Sequence, residues 1–153
     1  MILNLDNWQA EAVAAIDSQE QQLTYGELRE FSERAKQLMP ARSLLFLLVE
    51  NNVGGIAWTI GNISAGNVPL VLNAHLDDGL YKSLYELYQP PFVCVPEGMA
   101  DKFTYQPIVS CYGYTLMNTG HDACQVNDQL SHLLPTSGST GSPKLVRHKY
   151  ENI

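Results

Sequence analysis

The residues best suited to chemistry lie near the carboxyl end of the chain, in the run Thr136-Ser137-Gly138-Ser139-Thr140-Gly141-Ser142-Pro143-Lys144. Glycine lets a backbone turn through positive φ and approach a ligand closely. Successive amides in such a turn point inward and make a nest for an anion. The hydroxyls add donors, and Lys144 adds a point charge suited to phosphate. A Ser/Gly linker has the same small residues, but it does not close on Pro-Lys followed by Leu145-Val146. The candidate binding residues are therefore Thr136, Ser137, Gly138, Ser139, Thr140, Gly141, Ser142 and Lys144.

The spacing differs from that of a Walker loop, which needs Gly-Lys-Ser/Thr opening a helix. Leu145-Val146-Arg147-His148-Lys149-Tyr150 alternates apolar and polar, which predicts a strand. Leu133-Leu134 predicts another before the loop. The loop thus joins two strands of a hairpin, with His132 and His148 in its arms. Each histidine either faces the phosphate or lies on the strand surface.

The segment Leu134–Ile153 resembles the phosphate-loop signature of the adenylate-forming enzymes. These are the acyl- and aryl-CoA ligases, the adenylation domains of peptide synthetases, and firefly luciferase. The match runs from Thr136 through Lys144, and Asn152 also fits. Leu145 replaces a usual glycine, and Lys149-Tyr150 replaces a common Ser/Thr-His pair. Two upstream segments are similar to other family signatures, Gln22-Leu23-Thr24-Tyr25-Gly26-Glu27-Leu28 and Ser64-Ala65-Gly66-Asn67-Val68-Pro69-Leu70.

The resemblance implies that residues 1–153 are the N-terminal portion of an AMP-binding domain, with the rest of the catalytic domain and the C-terminal lid absent. The implied reaction is ATP-dependent formation of an acyl-adenylate from a carboxylic acid, followed by transfer to a CoA or carrier-protein thiol. Thr136 through Lys144 would wrap the β- and γ-phosphates, with Mg²⁺ accompanying ATP and held by residues downstream. No catalytic or metal-binding residue is assigned here, and the 153-residue chain alone is expected to be inactive. The alternatives are a non-catalytic, stand-alone α/β domain that binds phosphate or a partner, and a generic P-loop phosphotransferase.

The elements that must position the loop are legible upstream. Ala12–Ile16 and Gln22–Thr24 predict a small strand pair. Thr24 and Glu27 have capping-box spacing, opening a helix to Met39 with Leu28, Phe31, Ala35 and Leu38 on one face. Pro40 ends it. Ser43–Val49 is continuously apolar, as a strand covered on both faces would be. Asn51-Asn52 caps a helix to Ala65, with Val53, Ile56, Ala57, Ile60 and Ile63 at helical spacing and Gly66 as its stop. Gly54-Gly55 would permit close helix–sheet packing.

Val68–Leu72 predicts a second buried strand. Asp77-Asp78 starts a helix to Tyr88 with Leu80, Leu84 and Leu87 inward, where Tyr81, Tyr85 and Tyr88 make a half-buried face. Phe92–Val95 is a third strand, Ile108–Leu116 supplies one or two more, and His121–Asp128 reads as a flexible connection. The order predicts an α/β fold: a doubly wound, mostly parallel sheet flanked by helices, with a β-hairpin carrying the loop.

Net charge is −7, which argues against nucleic acid or anionic membrane as a partner. Between 131 and 153, however, Lys144, Arg147 and Lys149 face Glu151 alone. No apolar run reaches the roughly 18 residues of a membrane span, and the start has no basic flank of a signal peptide. Cytoplasmic localisation is the expectation. Cys94, Cys111 and Cys124 have no metal-ligand spacing. Exposed sheet edges would favour self-association.

Overall fold

Leu44 to Leu48 form a strand with no solvent-facing side chain, and the molecule is assembled around it. The computed structural model describes residues 3–136 and 144–153. Nine strands and three α-helices are present among them. β1 (Val13–Ile16) and β2 (Gln22–Thr24) form a small antiparallel pair. α1 (Tyr25–Leu38) leads to β3 (Leu44–Val49), α2 (Val53–Ala65) to β4 (Val68–Asn73), and α3 (Asp78–Tyr88) to β5 (Phe92–Pro96). The remaining strands are β6 (Gln106–Cys111), β7 (Tyr114–Asn118), β8 (Leu130–Pro135) and β9 (Leu145–Lys149).

Seven strands make one sheet in the order β6-β7-β5-β3-β4-β8-β9. The central run β5-β3-β4-β8 is parallel, and the outer pairings are antiparallel. The expected α/β architecture with a hairpin at one end is therefore present. The 106–118 region, expected as one or two strands, is a complete antiparallel hairpin.

Alternation along β3 divides the core in two. Leu45 and Leu47 pack with Cys94 and Leu116 beneath α1 and α2. Leu44, Phe46 and Leu48 pack with Val93, Val95 and Met117 on the α3 side. Truncating a buried leucine of this kind costs about 2–5 kcal/mol.

The helices begin where their capping residues stand. Glu27 N–H donates to Thr24 Oγ1 at 3.2 Å, and Thr24 N–H returns the bond to Glu27 Oε2 at 2.8 Å. Asn52 caps α2 through Gly55 N–H at 2.8 Å. Gly66, at φ 85, ends it in the left-handed conformation. Asp77 caps α3 through Leu80 N–H.

One inward assignment is corrected. Leu87 is 67% exposed, because α3 seats Tyr81, Tyr85 and Tyr88 around Phe46, and Leu87 falls outside that face. Ile56 is 39% exposed, beside a shallow groove it shares with Ile16 and Val49. The 121–127 segment is irregular, as expected, but tied down. His121 lies against Tyr85, and Cys124 and Val126 pack on the core. No helix among the described residues is long and apolar enough to cross a membrane. The three cysteines are free thiols.

The glycine pair of α2 sits hard against the neighbouring hairpin. A Cβ at Gly54 would collide with the Tyr112 carbonyl and the Tyr114 ring, and one at Gly55 would lie 2.7 Å from the Glu50 carbonyl. Backbone cannot retreat as a flexible side chain can. Gly54→Ala should destabilise the fold by about 1–3 kcal/mol, read as a lower urea midpoint at unchanged slope.

Candidate functional site

The carboxyl ends of the parallel strands gather the polar residues of the molecule. In open α/β sheets this is the edge where ligands bind. β3 ends at Glu50-Asn51-Asn52, and β4 ends at Asn73 and His75. With Asp17, Gln19 and Gln21 from the β1–β2 turn they line a cleft of about 350 Å³. β8 lies parallel beside β4, with Leu133 opposite Leu70, so the carboxyl end of β8 lies at this same edge.

Of the predicted phosphate-binding residues, Thr136 and Lys144 are placed. Both are exposed, and Thr136 N–H donates to the Lys144 carbonyl at 2.8 Å. Ser137, Gly138, Ser139, Thr140, Gly141 and Ser142 lie outside the described residues. The two flanking strands pair in register from Leu130–Lys149 to Pro135–Leu145, with one irregularity beside His132. The hairpin predicted from alternation is present, and it brings the backbones of Thr136 and Lys144 together.

The amino end of α2 is already satisfied. Asp17 Oδ2 accepts from Val53 N–H at 3.2 Å, while its Oδ1 accepts from Gln19 and Gln21 N–H. Slight burial raises the Asp17 carboxyl pKa, but the three donors outweigh this and hold it below the ordinary value. Asn52 Oδ1 accepts from Gly55 N–H and from the Tyr114 hydroxyl at 2.9 Å; that hydroxyl in turn accepts from Glu50 N–H at 3.0 Å. Burial pushes the Tyr114 phenol up, so it stays a neutral donor. With its first amides engaged, this helix end is poorly placed to hold a phosphate.

Charge follows the same division. Glu50 and His75 approach each other at 3.8 Å within the cleft. On the α3 side of β9, Lys144, Arg147 and Lys149 line a groove of about 810 Å³ floored by Leu44, Leu133 and Leu145. Lys149 also pairs with Glu151 at 3.4 Å.

Sequence patterns did not reveal Arg42. It stands just before β3 at φ 63, a backbone region that non-glycine residues seldom occupy. Its Nη1 donates to the Gly66 carbonyl at 2.9 Å and the Tyr150 hydroxyl at 2.8 Å. Its Nη2 donates to the carbonyls of Asn127 at 2.6 Å and Leu130 at 2.7 Å. One guanidinium thus joins the end of α2 to both arms of the hairpin. Lysine cannot reproduce this planar fork. Arg42→Lys should cost about 1.5–3 kcal/mol, the range for hydrogen bonds to a charged group. Amide exchange should rise in β8 and β9 before β3; equal acceleration in all three would show that Arg42 does not specifically anchor the hairpin.

No protein-family model matches the sequence, and no curated protein is similar to it. Solved structures do match. ATP-bound MatB from Rhodopseudomonas palustris superposes with a TM-score of 0.73 at 15% identity, covering 98% of this chain and 34% of that one. O-succinylbenzoate coenzyme A synthetase (MenE) from Bacillus subtilis, in complex with AMP, gives 0.69 at 18% identity, covering 97% and 41%. The luciferase-like enzyme of the nonluminescent mealworm Zophobas morio gives 0.67 at 15% identity, covering 97% and 41%. The chain therefore spans about a third to two-fifths of the length of these structures. Its fold is shared with part of each of these structures.

Proposed function

We propose that this chain is the N-terminal part of an ATP-dependent, AMP-forming carboxylate ligase and contributes its ATP phosphate-binding loop. The observation that carries this reading is the joining of the Thr136–Lys144 motif to the hairpin of this fold. The strands close with Thr136 and Lys144 in backbone contact at the carboxyl edge of the sheet. The ATP- and AMP-bound states of structurally similar proteins support nucleotide use.

In this chemistry a carboxylate oxygen attacks the α-phosphorus of ATP. The bond to the bridging oxygen breaks, and pyrophosphate leaves with the electron pair. Negative charge shifts onto the departing phosphates, so the protein acts by positioning and by electrostatic stabilisation. Thr136 and the hydroxyls and amides up to Ser142 would donate to the β- and γ-phosphates, and Lys144 would supply the charge. Mg²⁺ would enter with the nucleotide. Among the described residues no group of three carboxylate, histidine or cysteine side chains could hold it. The acid substrate and the CoA or carrier-protein thiol would bind outside this part. Cytoplasmic localisation and self-association belong to the same reading.

Lys144→Ala should weaken ATP binding about tenfold, the loss of roughly one charge-assisted contact. Folding should be little affected, because Lys144 is exposed and has no ion-pair partner among the described residues. Calorimetric titration with ATP reads the affinity, and urea unfolding reads the stability. Equal affinity in parent and variant would sink the assignment of Lys144. A parent that binds a protein partner but no nucleotide would favour the stand-alone binding domain instead.

A further inference from the structure

We propose that His132 and His148 form a proton-sensitive latch, which fastens the two arms of the β8–β9 hairpin at neutral pH and loosens them in acid. The two residues are cross-strand partners. Their rings are stacked, with centroids 4.4 Å apart and planes within 4° of parallel. Neutral imidazoles stack favourably in this arrangement, and two imidazolium ions repel.

The hydrogen bonds around the pair assign the proton. Ser131 Oγ donates its only hydrogen to the His148 carbonyl at 2.9 Å. The same oxygen lies 2.9 Å from His132 Nδ1 and must therefore accept from it. His132 is thus the Nδ1–H tautomer, and Nε2 is the nitrogen that takes an incoming proton. Burial lowers the His132 pKa from its ordinary 6.5, and the neighbouring His148 lowers it further. A base whose folded pKa is depressed favours the fold above its unfolded value. That contribution is lost as pH falls from 6.5 through the lower folded pKa.

Among the described residues neither histidine has an ion-pair partner. Arg147 and Lys149 flank His148 in sequence but turn to the opposite face, into the groove beside Leu133. Lys144 is exposed just before β9, and Glu151 is paired with Lys149. Neither α2, on the same side of the sheet, nor β4, the neighbouring strand, contains an ionisable side chain. The Arg42 guanidinium fixes the base of the hairpin through Leu130 and Tyr150. Loosening must therefore run from the histidines toward Thr136 and Lys144. As regulation of phosphate binding, the latch rests on the function proposed above. As a property of the hairpin, it does not.

NMR of the ligand-free chain tests it, combining imidazole titration with amide exchange corrected for intrinsic pH dependence. His132 should titrate below 6.5. Exchange at Leu133 and Arg147 should accelerate severalfold between pH 7.5 and 5.5, while Phe46 stays constant. In His148→Phe, which keeps a stackable ring without the charge, His132 should move back toward 6.5 and the acid-induced acceleration should vanish. His132→Phe, which removes the ring that takes the proton, should likewise abolish the acid-induced acceleration and serves if the first variant folds poorly. A flat exchange profile in the parent, or an unaltered one in a folded variant, overturns the latch. ATP titration at the two pH values separates the claims: loosening in a chain that binds no ATP leaves the latch standing and removes the phosphate reading, whereas ATP binding with a flat exchange profile does the reverse.

Discussion

Burial of β3 on both faces is the constraint from which the other elements take their places. A strand of Leu44-Leu45-Phe46-Leu47-Leu48 in water would expose apolar surface on two sides and unpaired amides on two edges. Covering the faces requires α1 and α2 on one side and α3 on the other. Pairing the edges requires β4 and β5. Once those are set, the polar residues that follow β3 and β4 have one outlet, at the carboxyl ends of the strands. Chemistry collects there because the apolar interior excludes it from everywhere else.

The hairpin is bound to this body in another way. Its contribution to the core is modest: Leu133 is buried, while Leu130 and Leu145 are partly so. Arg42 supplies the rest by bonding to backbone and side-chain oxygens from three separate segments. The left-handed backbone of Arg42 is a local cost that the four hydrogen bonds offset. A parallel core held by apolar burial thus carries an appendage held by a charged fork. The two parts can differ in stability without either failing to fold.

Much of this was legible because local signals and tertiary packing agree. Thr24 and Glu27 cap α1 as their spacing requires, and the apolar run at 44–48 is buried on both faces. The Leu145–Lys149 alternation forms the strand it describes. The failures have physical causes. Gln106 to Cys111 contains a proline and mostly exposed side chains, so an edge strand there has no apolar period to betray it. Leu87 keeps helical spacing, but the tyrosines of α3 occupy the sheet in its place. Arg42 gives no local sign, since its partners stand 24 to 108 residues away. Within the candidate site, Thr136 and Lys144 are placed, and the residues between them are assigned from motif chemistry alone.

The reach of Arg42 also bears on how the protein is made. A ribosome releases the chain from the amino end, and β3, β4 and β5 can pair once residue 96 has emerged. Until β8 emerges at Leu130–Pro135, the outer edge of β4 has no strand beside it, and before Asn127 emerges the guanidinium has only the Gly66 carbonyl among its four acceptors. The nascent chain must pass through a stage in which an apolar parallel sheet lies open along one side. Such open edges are where newly made chains aggregate, and docking of the hairpin by Arg42 ends that exposure.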